Sequence, residues 1–257
     1  MGNQAGSLDG HVVVVTGGTR GVGLGIAHAL VARGAKVTIT GRKQDALDGA
    51  VAALTDAGGD VLAAAGNVAD RDGMFEVVAR TVEHFGRLDG LVNNAQTFRP
   101  VMPLEAVTAR DLDTLFDTGV KATLWGMQAA VPHFRAQGYG RIVNMGSVIG
   151  MRGAKGYGPY GASKEAIRGL TRTAALEWAA DGIVVNCVCP ASAGHRAPPD
   201  DPDRIANYAA AYRDHPMGRD GDAVDDIGPV VCFLLSPECR YMTGETLLVD
   251  GGSYLRA

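Results

Sequence analysis

The run His11-Val-Val-Val-Val-Thr16 leads straight into Gly17-Gly-Thr-Arg-Gly21-Val-Gly23, after which apolar residues recur at helical spacing at Val22, Ile26, Ala29 and Leu30. A β-branched run reads as a strand, a glycine cluster as a tight turn, and a period of about 3.6 residues as a helix. A strand-turn-helix of this kind aims the first N–H groups of the helix, and the positive end of its dipole, at the turn, where a pyrophosphate fits. A lone glycine cluster is weak evidence, but one that closes the first strand of an alternating chain predicts a dinucleotide site. The spacing Gly-x-x-x-Gly-x-Gly departs from the Gly-x-Gly-x-x-Gly of many dehydrogenases.

The alternation continues along the chain. Strands are predicted at Lys36 to Thr40, Val61 to Ala65, Leu88 to Asn93, Gly140 to Gly146, Ile183 to Val188 and Thr246 to Asp250. Between them the helical spacing covers Gln44 to Asp56, Met74 to Phe85, about Val120 to Phe134, about Tyr160 to Ala180, and Ala223 to Leu235, with Thr108 a candidate cap for a helix into the 110s. Gly34 and Gly86 read as helix stops, and Gly251-Gly252 as the closing turn. From Pro190 to Gly221 the pattern breaks into Pro-Pro-Asp-Asp-Pro and a short helical stretch around Ile205 to Tyr212, so residues 191–219 read as a lid or binding loop. Seven strands alternating with helices predict the α/β class: a doubly wound, parallel seven-stranded sheet, Rossmann-like, with helices on both faces and ligands at the carboxyl ends of the strands. No linker or internal repeat interrupts this, and residues 1–257 read as a single dinucleotide-binding and catalytic domain.

Composition removes several alternatives. With 46% hydrophobic and 20% charged residues, the chain can bury a sizeable core and disorder is excluded. A net charge of −4 provides no basic field for a phosphate backbone, so no nucleic-acid partner is expected. No apolar run approaches the roughly 18 residues of a membrane span, and Met1-Gly-Asn-Gln-Ala lacks the layout of a signal peptide, so a cytoplasmic protein without a membrane partner is expected. Cys187, Cys189, Cys232 and Cys239 contain no Cys-x-x-Cys and read as reduced packing residues. The histidines form no His-x-x-x-His pair, and no metal is expected.

Thr16-Gly17-x-x-x-Gly21-x-Gly23, Asn93-Asn94-Ala95, Ser147, Tyr160-Gly-Ala-Ser-Lys164, Asn186 with Pro190, and Asp250-Gly-Gly fall at the ends of successive predicted strands and at the start of the following helix. Together they resemble the short-chain dehydrogenase/reductase family over nearly the whole chain. The resemblance implies hydride transfer between a nicotinamide cofactor and a ketone or secondary alcohol. It implies cofactor contacts from Gly17, Thr19, Arg20, Gly21, Val22 and Gly23 in the turn, and from Asn67 and Val68 after the third strand. Asn94, Ala95, Tyr160, Lys164 and Pro190 would complete them, with Lys164 bonding the nicotinamide ribose. It further implies a homotetramer built on the helices that carry Trp125, Met127 and Phe134, and Leu170 and Trp178; two-sided burial within one subunit is the alternative.

The chemistry of the central group also follows from the residues. Tyr160 and Lys164 are four apart and share one helix face. An ammonium beside a phenol favours the phenolate, as a general acid–base requires. Ser147 places a hydroxyl at the end of the neighbouring strand. In this reading Tyr160 donates a proton to a carbonyl oxygen as hydride arrives, and Ser147 stabilises the developing alkoxide. Tyr157 is a second phenol, but Gly158-Pro159 places it in the preceding loop, for the substrate pocket or for packing. At the end of the second strand, where an NAD site carries an acid for the ribose, the chain reads Thr40-Gly41-Arg42-Lys43. Arg42 and Arg20 form a basic pair suited to a 2′-phosphate, so NADP(H) is expected to be preferred over NAD(H). Solvated surface arginines are the alternative.

Four positions depart from the family's pattern. Thr118-Gly119-Val120 stands where an asparagine usually holds a water-linked relay behind the lysine, and Gln96 replaces the last glycine of Asn-Asn-Ala-Gly. Asn67 replaces an adenine-contacting Asp, and Ala191 and His195 stand where a glycine and a threonine usually follow Pro190. These changes keep open an NADP(H)-binding sensor or scaffold with weak turnover. A second alternative is 3-oxoacyl carrier-protein reduction. Members of that kind commonly carry an arginine for the acidic carrier just before the sixth strand, where this chain has Asp181, so a free small molecule is preferred. The pocket is expected to draw on Gln96, Phe98, Ile149, Met151 and Tyr157, and on the 191–219 segment with His195, Tyr208 and Tyr212. Such a lining suits an alicyclic, aromatic or steroid-like substrate.

Overall fold

A computed structural model describes residues 7–97, 101–192 and 215–255. Seven parallel strands form one sheet in the order β3-β2-β1-β4-β5-β6-β7. They are β1 (Val12–Val15), β2 (Lys36–Gly41), β3 (Val61–Ala65), β4 (Gly90–Asn93), β5 (Gly140–Met145), β6 (Ile183–Pro190) and β7 (Thr246–Val249). The helices are α1 (Gly21–Val31), α2 (Gln44–Asp56), α3 (Arg71–Phe85), α4 (Ala109–Leu115), α5 (Ala122–Gln137), α6 (Val148–Arg152), α7 (Gly158–Trp178) and α8 (Gly228–Leu235). The strand order reverses direction between β1 and β4, and at such a switch point the two flanking loops diverge and leave a crevice at the carboxyl ends.

Alternate side chains of each strand feed opposite cores. Val13 and Val15 pack with Ile26, Leu30, Leu47, Val231 and Leu235 on one face. Val12 and Val14 pack with Val77, Val78, Met127 and Phe134 on the other. Each of these side chains, taken from water, contributes about 1.5–3 kcal/mol before conformational entropy is counted. Because both faces are covered, the strands are near-continuous apolar runs, and β5 is buried at all of its positions. Polar side chains inside this core are paired. Asn93 Nδ2 donates to Asn144 Oδ1 at 2.9 Å, and Asn144 Nδ2 donates to Thr171 Oγ1 at 3.0 Å, which joins β4, β5 and α7.

Several predicted boundaries shift for local reasons. Strand β4 begins at Gly90, after the buried Asp89, whose carboxylate accepts from the N–H of Val12 at 2.9 Å and from Nε and Nη2 of Arg87. The helix expected from Val120 starts at Ala122, after a π-helical segment over Phe116–Lys121 that widens the chain around Gly119. The single helix expected from Ala223 is likewise a π-helical turn, Ala223–Ile227, followed by α8. Helix α6 was not anticipated; it is too short to show a period, and Ser147 Oγ caps it by accepting from the N–H of Ile149 at 3.2 Å. Thr108 does cap α4, in a reciprocal capping box with Asp111. All four cysteines are free and buried. Among the described residues no helix is long and apolar enough to cross a membrane, and no cluster of His, Cys, Asp and Glu could hold a metal.

Candidate active site

The glycine turn lies in the crevice between β1 and β4. Gly17 and Gly21 have φ of +66° and +57°, a region that L side chains rarely enter. A Cβ at Gly17 would come within 3.1 Å of the Ala95 Cα, and one at Gly23 would strike the carbonyl oxygen of Gly17 and lie 2.5 Å from Asn94 Nδ2. This cradle exists only without side chains. Helix α1 opens from it with its first N–H groups free of any local acid, since none stands in its first turn. The turn is pinned from both neighbouring strands. Gly17 N donates to Thr40 Oγ1 at 3.1 Å, and the buried Thr16 Oγ1 accepts from the N–H groups of Asn94 and Ala95, each at 3.0 Å. The backbone left open and the free helix start fit the pyrophosphate of a dinucleotide.

Val22 is half-buried in the first turn of α1. Arg20 and Arg42 are both exposed. They flank a close packing point, because a Cβ on Gly41 would lie 2.6 Å from Thr19 Cγ2, so the glycine turn rests on the end of β2. Neither arginine takes part in an ion pair among the described residues. Asn67 follows β3 and folds an Asx turn, its Oδ1 accepting from Ala69 N at 3.2 Å, with Val68 half-buried beside it. Pro190 ends β6 opposite Val249.

Ser147, Tyr160 and Lys164 gather at the carboxyl end of β5. Pro159 occupies the first turn of α7, where its missing N–H costs nothing, and Tyr157 is the residue just before the helix, without a capping bond from its side chain. Lys164 is buried, its Nζ donating to Met145 O at 2.8 Å and lying 5.6 Å from the Tyr160 ring centroid. The acid beside it does not compete for that ammonium, because Glu165 is held by Arg168 Nη1 at 2.6 and 2.7 Å. Helix α6 brings Ser147 alongside, and a Cβ on Gly150 would be 3.0 Å from Gly161 O. Among the expected pocket residues, Ile149 and Met151 are half-buried on α6, and the Tyr157 ring stands edge-on to Tyr160 with centroids 6.3 Å apart. Met102, Leu115 and Pro159, which sequence reasoning did not single out, line a cleft with Tyr157 and Tyr160. Phe98, His195, Tyr208 and Tyr212 lie outside the described residues.

Gln96 does not extend into open space. Its Nε2 donates to Ser163 Oγ at 2.8 Å, and the side chain packs on Gly119. Asp181, expected to repel an acidic carrier, accepts from Arg135 Nε at 2.6 Å.

A family model described as Enoyl-(Acyl carrier protein) reductase matches residues 17–254. The chain is 37% identical over 254 residues to the 12alpha-hydroxysteroid dehydrogenase of Clostridium sp., covering 96% of this chain and 98% of that one. It is 33% identical over 247 residues to the 3-oxoacyl-[acyl-carrier-protein] reductase of Synechocystis sp., covering 96% and 98%. A crystal structure of levodione reductase superposes with a TM-score of 0.89 at 31% identity, covering 96% of this chain and 99% of that one.

Proposed function

Because the chain belongs to the short-chain dehydrogenase/reductase family of oxidoreductases acting on CH–OH and C=O groups, we propose that it interconverts an alicyclic, aromatic or steroid-like ketone and its secondary alcohol with NADP(H). The observation that carries this reading is the gathering of Ser147, Tyr160 and Lys164 at the carboxyl end of β5, two strands along the sheet from the glycine turn that follows β1. When bound, the nicotinamide supplies or accepts the hydride. In the reducing direction the Tyr160 hydroxyl gives its proton to the substrate oxygen, forming the alcohol O–H as the carbonyl carbon receives the hydride. Ser147 hydrogen-bonds the same oxygen and stabilises the charge that develops on it. Lys164 stands next to the phenol and would hydrogen-bond the ribose of a bound cofactor. Oxidation reverses each transfer.

NADP(H) preference is supported by Arg20 and Arg42, which flank the Thr19–Gly41 packing point without acidic partners among the described residues and can grip a 2′-phosphate. A cyclic substrate is supported by relatives named for a hydroxysteroid and for levodione. A 3-oxoacyl carrier protein is the second reading, since relatives carry that name. The Asp181–Arg135 pair is close to neutral and so offers no free cation to an acidic carrier. A cytoplasmic homotetramer built on α5 and α7 completes the proposal, with Leu176 standing 86% exposed on α7; light scattering gives its mass.

The decisive experiment follows NADPH absorbance across a panel of cyclic ketones and diketones, with Tyr160→Phe as control. Turnover that Tyr160→Phe abolishes is expected. Tight NADPH binding with an inactive panel would replace this reading with a sensor.

A further inference from the structure

Gln96 and Gly119 fit one another. A Cβ built on Gly119 would lie 2.6 Å from Nε2 and 2.9 Å from Cδ of Gln96, so the notch that receives the carboxamide exists only because residue 119 has no side chain. The notch lies in the π-helical segment Phe116–Lys121, whose wider turn carries Gly119 inward, and Thr118 Oγ1 accepts from the N–H of Thr97 at 3.1 Å just beside it.

The carboxamide is oriented by what surrounds it. Ser163 Oγ spends its proton on Tyr160 O at 2.8 Å, and Leu115 presents a carbonyl at 3.4 Å, so both neighbours of the amide nitrogen are acceptors. Only the NH2 end satisfies them. A continuous path therefore runs from the loop after β4 through Gln96 and Ser163, the residue before Lys164, to the peptide oxygen of Tyr160. Gln96 Oε1, by contrast, is buried and meets no donor among the described residues. An unsatisfied buried oxygen costs about as much as a hydrogen bond contributes, so this side chain adds little to stability, and its role lies elsewhere.

We propose that Gln96 is a positioning residue for the acid–base pair: acting through Ser163, it sets the first turn of α7 and with it Tyr160 and Lys164, and Gly119 is its obligatory partner. The proposal rests on the reading that Tyr160 and Lys164 perform the proton transfer. Both residues depart from the family's usual pattern, and the structure makes the two departures one feature.

The test compares the wild type with Gln96→Ala, Gly119→Asn and the exchange Gln96→Gly with Gly119→Asn. Gln96→Ala is expected to lower kcat about tenfold and to move the pH profile of kcat, while KM, NADPH affinity and Tm stay close to wild type. Gly119→Asn alone is expected to do more damage, and the exchange, which relieves the clash but also lacks Gln96, to recover only to about the level of Gln96→Ala. An unchanged kcat and pH profile in Gln96→Ala would overturn the proposal, as would an exchange variant no better than Gly119→Asn. If Gly119→Asn does not fold, Gln96→Ala, which only enlarges space, decides alone. A wild type that reduces no ketone would defeat the functional reading instead. In that event the tyrosinate absorbance of Tyr160, obtained as the difference from Tyr160→Phe, is read with and without Gln96; an identical titration overturns the positioning role.

Discussion

The side-chain amide of Asn94 donates to the carbonyl oxygen of Thr16 at 2.9 Å, and it reaches Gly17 O at 3.3 Å. One side chain at the end of β4 thus holds the glycine turn from across the switch point. Asn94→Ala removes both bonds, each contributing about 0.5–1.5 kcal/mol. NADPH affinity should fall about tenfold, with a lower Tm. Fluorescence titration and thermal melting check this; an unchanged dissociation constant would separate Asn94 from the cofactor.

The proposed preference for NADP(H) rests on Arg42. Arg42→Ala is expected to weaken NADPH binding about ten- to a hundredfold, the range of a charge-assisted bond, and to leave NADH binding nearly as it was. The NADPH affinity of the wild type should fall as salt rises, because the arginine is exposed and screened. Equal losses for both cofactors would place Arg42 outside the 2′-phosphate site.

The Arg219 guanidinium donates to both carboxylate oxygens of Asp226, and the Asp222 N–H adds a third bond, holding the Asp226 carboxyl down at about 2. A depressed carboxyl stabilises the fold above its unfolded value of about 3.9 and loses that contribution as pH falls through the folded value. The Tm difference between wild type and Asp226→Asn should be present near neutral pH and close between about pH 4 and pH 2. A gap that persists at the acid end would mean that Asp226 acts by packing alone.

Every thiol is shielded. Burial pushes Cys232 up to about 11, and a hydrogen bond to Cys189 together with burial raises Cys187; the same bond lowers Cys189, so burial alone shields that thiol. Since the thiolate is the nucleophile, a thiol reagent near neutral pH should find almost none of the four in the folded protein and all four after denaturation. Rapid labelling of Cys187 or Cys189 in the folded chain would show that β6 opens locally.

Much of this architecture is legible before any coordinates. Helix α2 and strand β3 occupy their predicted residues because turn residues and apolar spacing mark both ends of each. Ser147, Tyr160 and Lys164 could be placed because strand ends and a helix start are local signals. The π-helical segment at Phe116–Lys121 was not legible, since a widened turn keeps helical composition and changes only the hydrogen-bond partners. The relation of Gln96 to Gly119 was hidden for another reason. Each reads along the chain as an isolated departure, and only packing shows that one adds the volume the other gives up. Two departures of opposite size in segments that flank the same helix are the signal that could have linked them.

The chain of amides from Asn93 through Asn144 to Thr171 sets an order of events. Asn93 and Asn144 are 51 residues apart, and Asn144 and Thr171 a further 27, so no amide can be satisfied by a sequence neighbour. Loop-closure entropy must be met before any of these bonds forms. A slip of one position in β5 would turn Asn144 to the other face and take from the buried Asn93 amide the acceptor it uses at 2.9 Å. Refolding must therefore set the β4–β5 register before these bonds can form, and turnover should return no earlier than that register does.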